Sequence, residues 1–168
     1  GKYTVKEITA PYGYVINNTV YEANLQYGGQ TVSVVYDDVS VPNIPQTGTI
    51  MITKNDNETG SNPQGDASLN GAVFVIYNTN DELVERLDCG TDNNVTSSEL
   101  PLGKYTIKEL IPPTGYTLNN AEYPVSLEYS DQTVEVNQTS ITISDDVIKS
   151  RIFIEKLAEE GLAGEGIT

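Results

Sequence analysis

The chain has 168 residues and a formal net charge of −15, from 9 basic and 24 acidic side chains. Nucleic acid and anionic membrane surfaces are therefore poor partners, since both recruit proteins through basic patches. There is no His and one Cys, Cys89, which removes His-dependent catalysis, the commonest zinc ligand and any internal disulfide. No run is long and apolar enough to span a membrane, so direct insertion is not expected. No leader peptide is visible and the chain opens on Gly1 without Met, so its true N-terminus is expected to lie upstream or to have been removed.

In chain order, residues 1–18 read GKYTVKEITAPYGYVINN, with Tyr3 and Val5 alternating toward Glu7. VPNIPQTG (41–48) has two Pro and one Gly and is read as a short, stiff linker. Its IPQTG resembles a sortase sorting pentapeptide with Ile in place of Leu. A further domain follows it rather than an apolar span and basic tail, so it is taken as a linker turn. Strands are expected at Thr49–Lys54, Ala72–Tyr77, Leu83–Leu87, Gly103–Glu109, Tyr123–Tyr129, Gln132–Val136 and Ser140–Asp145. Turn-rich clusters such as NDNETGSNPQGD and TDNNVTSS separate them. Cys89, in DCGTDNN, is assigned to a loop. Asp56, Glu58 and Asp66 are read as solvated loop acids without metal-ligand spacing. Val, Ile, Thr and Tyr are prominent, and no window has a helical period. The expected class is all-β, a β-sandwich.

The chain repeats itself. GKYTVKEITAPYGYVINN at 1–18 recurs as GKYTIKELIPPTGYTLNN at 103–120, an offset of 102 residues. IMITK at 50–54 recurs as IFIEK at 152–156 with the same offset. Between these matches the second copy is expected to gain six residues near Asn137–Ile141, balanced by a longer linker, Val39–Gly48, in the first. The domains expected are the late part of one repeat (1–45), a complete repeat (46–149) and the opening of a third (150–168).

Alternation puts three ionisable side chains on apolar faces. Ile50 and Ile52 lead to Lys54, Tyr105 and Ile107 to Glu109, and Ile141 and Ile143 to Asp145. Ile152 and Ile154 lead likewise to Lys156. A lone buried charge costs several kcal/mol, so such groups pair or become neutral. One outcome is a buried ion pair or exposure at strand ends. The other is chemical. An amine in an apolar site tends to lose its proton and a carboxyl to keep it. A neutral amine attacks a neutral acid, and a second protonated carboxyl can shuttle protons. Held together by the fold, they react with a very high effective concentration.

ITKNDNETG at 51–59, LNGAVFVIY at 69–77 and LPLGKYTIKELIPPTGY at 100–116 carry a resemblance. The chain resembles the Cna protein B-type (SpaA-like, prealbumin-like) repeat domains of Gram-positive surface adhesins and pilins, over essentially its whole length. The resemblance implies tandem Ig-like sandwiches, each locked by an internal isopeptide bond. By motif, the cross-linking Lys falls on Lys54, the catalytic Glu on Glu109, and the acceptor on Asp145 or else Asp146. In the first copy the Glu is Glu7 and the acceptor Asp37 or Asp38. Lys156 is the lysine of the third. Each partial copy lacks partners within these residues, so no bond is expected there.

The expected function is a structural spacer in a cell-wall-anchored or pilus-like bacterial surface protein. Its only chemistry is single-turnover self-cross-linking, with neither cofactor nor metal. Neighbouring repeats of a longer chain are the expected partners, with host protein or glycan engaged through other domains. The alternatives are a ligand-binding adhesin module and an accessory domain of a secreted enzyme.

Overall fold

The computed structural model describes residues 1–156. Its strands are β1 (Lys2–Lys6), β2 (Tyr14–Val15), β3 (Val20–Asn24), β4 (Ile44–Pro45), β5 (Thr47–Asp56), β6 (Val73–Asn78), β7 (Leu83–Asp88), β8 (Asn94–Thr96), β9 (Leu100–Pro101), β10 (Gly103–Ile111), β11 (Glu122–Leu127) and β12 (Val136–Asp145). No helix occurs among the described residues. The all-β class stands.

β5 organises the larger unit. Every second residue along it is buried, from Gly48 through Ile50, Ile52 and Lys54 to Asp56. It pairs in parallel with β12 over its whole length, from Thr47↔Val136 to Asp56↔Asp145. Its other edge pairs antiparallel with β8 and β9. A second sheet, ordered β11-β10-β6-β7, is antiparallel throughout. The inner faces of the two sheets share one core, with Ile50, Ile52 and Ile143 from the first and Phe74, Ile76, Tyr105, Ile107 and Leu127 from the second. Interdigitated inner faces of this kind define a β-sandwich.

Three local expectations are corrected. Gln132–Val136 is not a separate strand; Gln132 and Thr133 lie in a turn, and β12 begins at Val136. Asp131 closes that turn by accepting hydrogen bonds from the Thr133 amide (2.8 Å) and hydroxyl (2.7 Å). β8 and β9 arise in a stretch read as turn or left unassigned, because the exposed edge of β5 needs a ladder partner and Val95 packs against the core. VPNIPQTG is not a free linker from Ile44 onward. Ile44–Pro45 pairs with β2, Gln46 is buried, and Thr47–Gly48 already belong to β5. Gln46 Nε2 donates to Asp131 O (3.1 Å) and Val134 O, and its Oε1 accepts from the Ser130 amide (2.9 Å).

The first copy repeats the second in unbroken register. β1 pairs with β3 as β10 pairs with β11: Lys2↔Asn24 corresponds to Lys104↔Ser126. Tyr14↔Pro45 recurs as the bridge Tyr116↔Val147. The hydrogen bond from the Gln46 amide to Gly13 O recurs from Ile148 to Gly115 O, both at 2.8 Å. The offset is thus 102 residues on both sides of Asn137–Ile141, and the expected six-residue gain is absent. The counterpart of β12, Val34–Asn43, is irregular chain rather than strand. A parallel ladder needs a partner, and the counterpart of β5 is not among these residues.

The Pro-x-Gly-Tyr turn has a physical reason. Tyr116 N donates to Pro113 O (3.2 Å) across the turn, and Gly115 takes φ 89°. A Cβ on Gly115 would lie 2.7 Å from the Ala67 Cβ. Only Gly suits both demands. Gly115→Ala is expected to lower stability by about 1–3 kcal/mol in chemical denaturation. Gly60→Ala, at φ 72° with open space around its Cβ position, is expected to cost less.

Candidate cross-linking site

Lys54 is completely buried near the end of β5, where the alternation that turns Ile50 and Ile52 inward continues. Glu109 continues the Tyr105–Ile107 stripe of β10, and the β10–β6 register shifts just after it. That bulge releases Leu110 and Ile111 to solvent while Glu109 stays inside. Asp145 ends the Ile141–Ile143 stripe of β12.

The three side chains meet in a site with no solvent exposure. Lys54 Nζ forms an ion pair with Asp145 Oδ1 and lies 3.4 Å from Glu109 Oε1. It also donates to Ile143 O at 3.3 Å. Glu109 Oε2 accepts from the Asn119 amide at 2.9 Å. Apart from Lys54, neither Asp145 oxygen nor Glu109 Oε1 has a donor among the described residues. Asp146, by contrast, is exposed and accepts from Asn57 Nδ2 at 2.9 Å. Asp145 is the acid that faces Lys54.

One ammonium and two carboxylates would leave a net charge of −1 in a dry site. Burial pushes Glu109 up to about 7, and the nearby Asp145 carboxyl adds to this against the lowering effects of Asn119 and Lys54. A proton held on Glu109 neutralises the cluster and supplies the missing donor.

A third buried acid was missed in the sequence. Asp56 continues the β5 stripe by one more step and is buried, not a solvated loop acid. Its Oδ1 accepts from the amides of Glu58 (2.7 Å) and Thr59 (2.9 Å). Its Oδ2 accepts from Tyr116 Oη (2.9 Å) and Gln64 (3.1 Å). Burial alone would raise its pKa, but these donors together hold it well below the carboxylate range. Asp56 is thus already satisfied, which leaves Lys54 to Asp145.

The first copy holds a matching arrangement of hydrogen bonds around Glu7, with a different residue in the place of Asp145. Glu7 Oε2 accepts from the Asn17 amide (2.7 Å), as Glu109 does from Asn119. Asn17 Nδ2 reaches Tyr21 Oη and Pro42 O, as Asn119 Nδ2 reaches Tyr123 Oη and Ser144 O. Pro42 thus stands where Ser144 stands, and the next residue, Asn43, stands where Asp145 does. Asn43 Nδ2 donates to Glu7 Oε2 at 2.7 Å and to Val15 O at 3.1 Å. Asp37 and Asp38 are exposed, and Asp37 instead accepts from the Asn24 amide. Neither Asp takes the acceptor's place, because the register is unbroken. Lys156 is exposed at the end of the described residues, and residues 157–168 of the expected third repeat lie outside them.

A profile of the SpaA prealbumin-like fold domain matches residues 48–142. The chain belongs to this family. A "Trypsin-resistant surface T6 protein" of Streptococcus pyogenes serotype M6 is 33% identical over 82 residues, covering 48% of this chain and 15% of that protein. The solved structure of the Bacillus anthracis TIE protein is 27% identical with a TM-score of 0.64, over 88% of this chain and 25% of that one. BcpA, the major pilin subunit of Bacillus cereus, shares the fold at 20% identity and a TM-score of 0.52, over 83% of this chain and 41% of that one. The chain spans less than half the length of each.

Within this SpaA-type domain, Cys89 lies in the expected loop just after β7, but its side chain turns into the core. It is buried beside Ala72 and Leu87, and burial pushes its thiol up to about 11. It packs as a small apolar side chain. The depressed Asp56 sets an acid limit on stability. Its contribution is complete above the unfolded value of 3.8 and is lost as pH falls toward the lower folded value. Tyr116→Phe removes one of the donors. Urea midpoints measured against pH are expected to fall less steeply below about pH 4 in this variant than in the parent.

Proposed function

We propose that this chain is a segment of the structural stalk of a Gram-positive surface protein or pilus. In this reading residues 46–149 form a complete repeat that closes an amide between Lys54 and Asp145. Residues 1–45 are the late part of the preceding repeat, and 150–168 open the next. The family and the named relatives, a trypsin-resistant surface protein and a major pilin, support a structural role at the cell surface. The observation that carries the chemistry is the dry contact of Lys54 with Asp145, with Glu109 3.4 Å from the amine.

In the reaction the Lys54 nitrogen attacks Asp145 Cγ. The Nζ–Cγ bond forms, a Cγ–O bond breaks, and the oxygen leaves as water with protons relayed from the amine. Protonated Glu109 donates to the Asp145 oxygen on which charge develops and then passes a proton to the leaving oxygen. The product is neutral, so two buried charges vanish from the site. No turnover follows, because amine and acid are both consumed.

Intact mass of the purified chain is expected to be lower than the sequence mass by one water. Lys54→Ala, Asp145→Ala and Glu109→Ala are each expected to restore the full mass. A full mass in the parent chain under all conditions would sink the cross-link. A second test is kinetic. Chain assembled by chemical ligation in denaturant and then refolded is expected to lose water more slowly as pH rises through about 7, where Glu109 gives up its proton. A rate that climbs steadily above that pH would remove Glu109 from the role.

A further inference from the structure

β11 is an edge of one sheet and β12 an edge of the other, and no ladder joins them. Side chains bridge this side of the sandwich instead. Toward one end, Asn137 Nδ2 donates to Glu128 O (3.1 Å) and Thr139 Oγ1 to Ser126 O (3.5 Å). At the other end, where Lys54, Glu109 and Asp145 meet, the bridge is Asn119. Its Nδ2 donates to Tyr123 Oη at 2.7 Å and to Ser144 O at 2.9 Å. Its Oδ1 accepts from the Ala121 amide at 3.0 Å, a local turn that holds the Asn119 amide against Glu109 Oε2 at 2.9 Å. Asn119 also lines a surface groove of about 550 Å³, with room for many waters. Asp145 borders the same groove, yet its side chain and that of Glu109 have no solvent exposure.

We propose that Asn119 is a positioning residue for amide formation: its side chain seals the gap between β11 and β12 against the groove, and its amide holds Glu109 in place. The proposal rests on the amide-forming reading of Lys54, Glu109 and Asp145. The first copy favours this role over recognition of a groove ligand. There Asn17 keeps all four contacts, with Glu7, Tyr21, Pro42 O and the Thr19 amide. The groove beside it is lined by Val15, Pro42 and Ile44, where the second copy has Thr117, Ser144 and Asp146. The chemistry of the groove changes between the copies while the Asn contacts do not. What both copies retain is a glutamate that accepts from the Asn amide.

The seal acts on the Glu109 proton. The charged groups facing Glu109 are Lys54 from β5 and Asp145 from β12. β6 offers Phe74 at the paired position, and the nearby Cys89 thiol is neutral, pushed up to about 11. Burial is the largest reason that Glu109 keeps its proton up to about 7. Water admitted through the gap would solvate the carboxylate and lower that value. The protonated, reactive form would then be lost at a lower pH. A simple loss of stability has no such signature.

The test uses the full chain, assembled by chemical ligation in denaturant, refolded across a range of pH and followed by intact mass. Asn119→Ser keeps an oxygen for the Ala121 turn but is too short to bridge. Its rate of water loss is expected to fall off with a midpoint about one pH unit below the parent's, which makes it about tenfold slower near pH 8. The two rates are expected to converge at acid pH. Tyr123→Phe, which leaves the bond to Ser144 O, is expected to keep the parent's midpoint. A second measurement needs no reaction. In Lys54→Met combined with Asp145→Ala, the Glu109 carboxyl carbon followed by NMR is expected to titrate at lower pH once Asn119→Ser is added. An unchanged midpoint in Asn119→Ser, with or without a uniform loss of rate, overturns the proposal, as does an unchanged Glu109 titration. Collapse of the dispersed spectrum would make Asn119 a residue of the fold alone and overturn it too. A parent chain that never loses water removes the amide reading itself, and this proposal with it.

Discussion

The parallel pairing of β5 with β12 is the constraint on which the rest depends. It brings the first and last strands of the larger unit side by side along their whole length. Lys54, far from Asp145 in sequence, is paired with Ile143, one inward step before Asp145 on the same face, and its long side chain reaches diagonally to the carboxylate. The second sheet then closes over them and brings Glu109 to the same point. Remove the pairing and the last strand loses its ladder, as the first copy illustrates. There the β12 counterpart has no β5 beside it, and it loses strand geometry while keeping its course. Glu7 and Asn43 still meet, because β1, β3 and the Pro-x-Gly-Tyr turn position them independently.

The inward placement of Lys54, Glu109 and Asp145 was legible because alternation has a strict period of two. It holds wherever one face of a strand is buried. The same rule also chooses Asp145 over Asp146, since adjacent residues point to opposite faces. Asn43 was missed for a chemical reason. An acid was sought opposite Glu7, and the Asp-Asp pair at 37–38 was matched to the pair at 145–146 by inserting a gap. The stripe Val39, Val41, Asn43 lies at the unbroken offset and would have identified the residue that stands in the place of Asp145.

Other misses share a cause in tertiary context. β8 sits in a polar stretch with little strand propensity, and it forms because β5 offers an unpaired edge. Cys89 looks exposed among Asp, Gly and Asn, yet its amide bonds to Ala72 O and its side chain joins the core. Asp56 ends the same stripe as Lys54, and its burial is tolerated because the Glu58 and Thr59 amides fold back onto it and Tyr116 arrives from a distant turn. A local sequence does not display such partners.

The direction of β5 and β12 also has a mechanical consequence. Tension applied along the chain would enter the larger unit at Thr47 and leave at Asp145, at opposite ends of two parallel neighbours. The strands are therefore pulled past one another lengthwise, and the ladder resists in shear rather than opening one rung at a time. An amide at Lys54 would carry the load from β5 straight across to the exit point. The residues between Lys54 and Asp145, including most of both sheets, would then lie outside the path of the force.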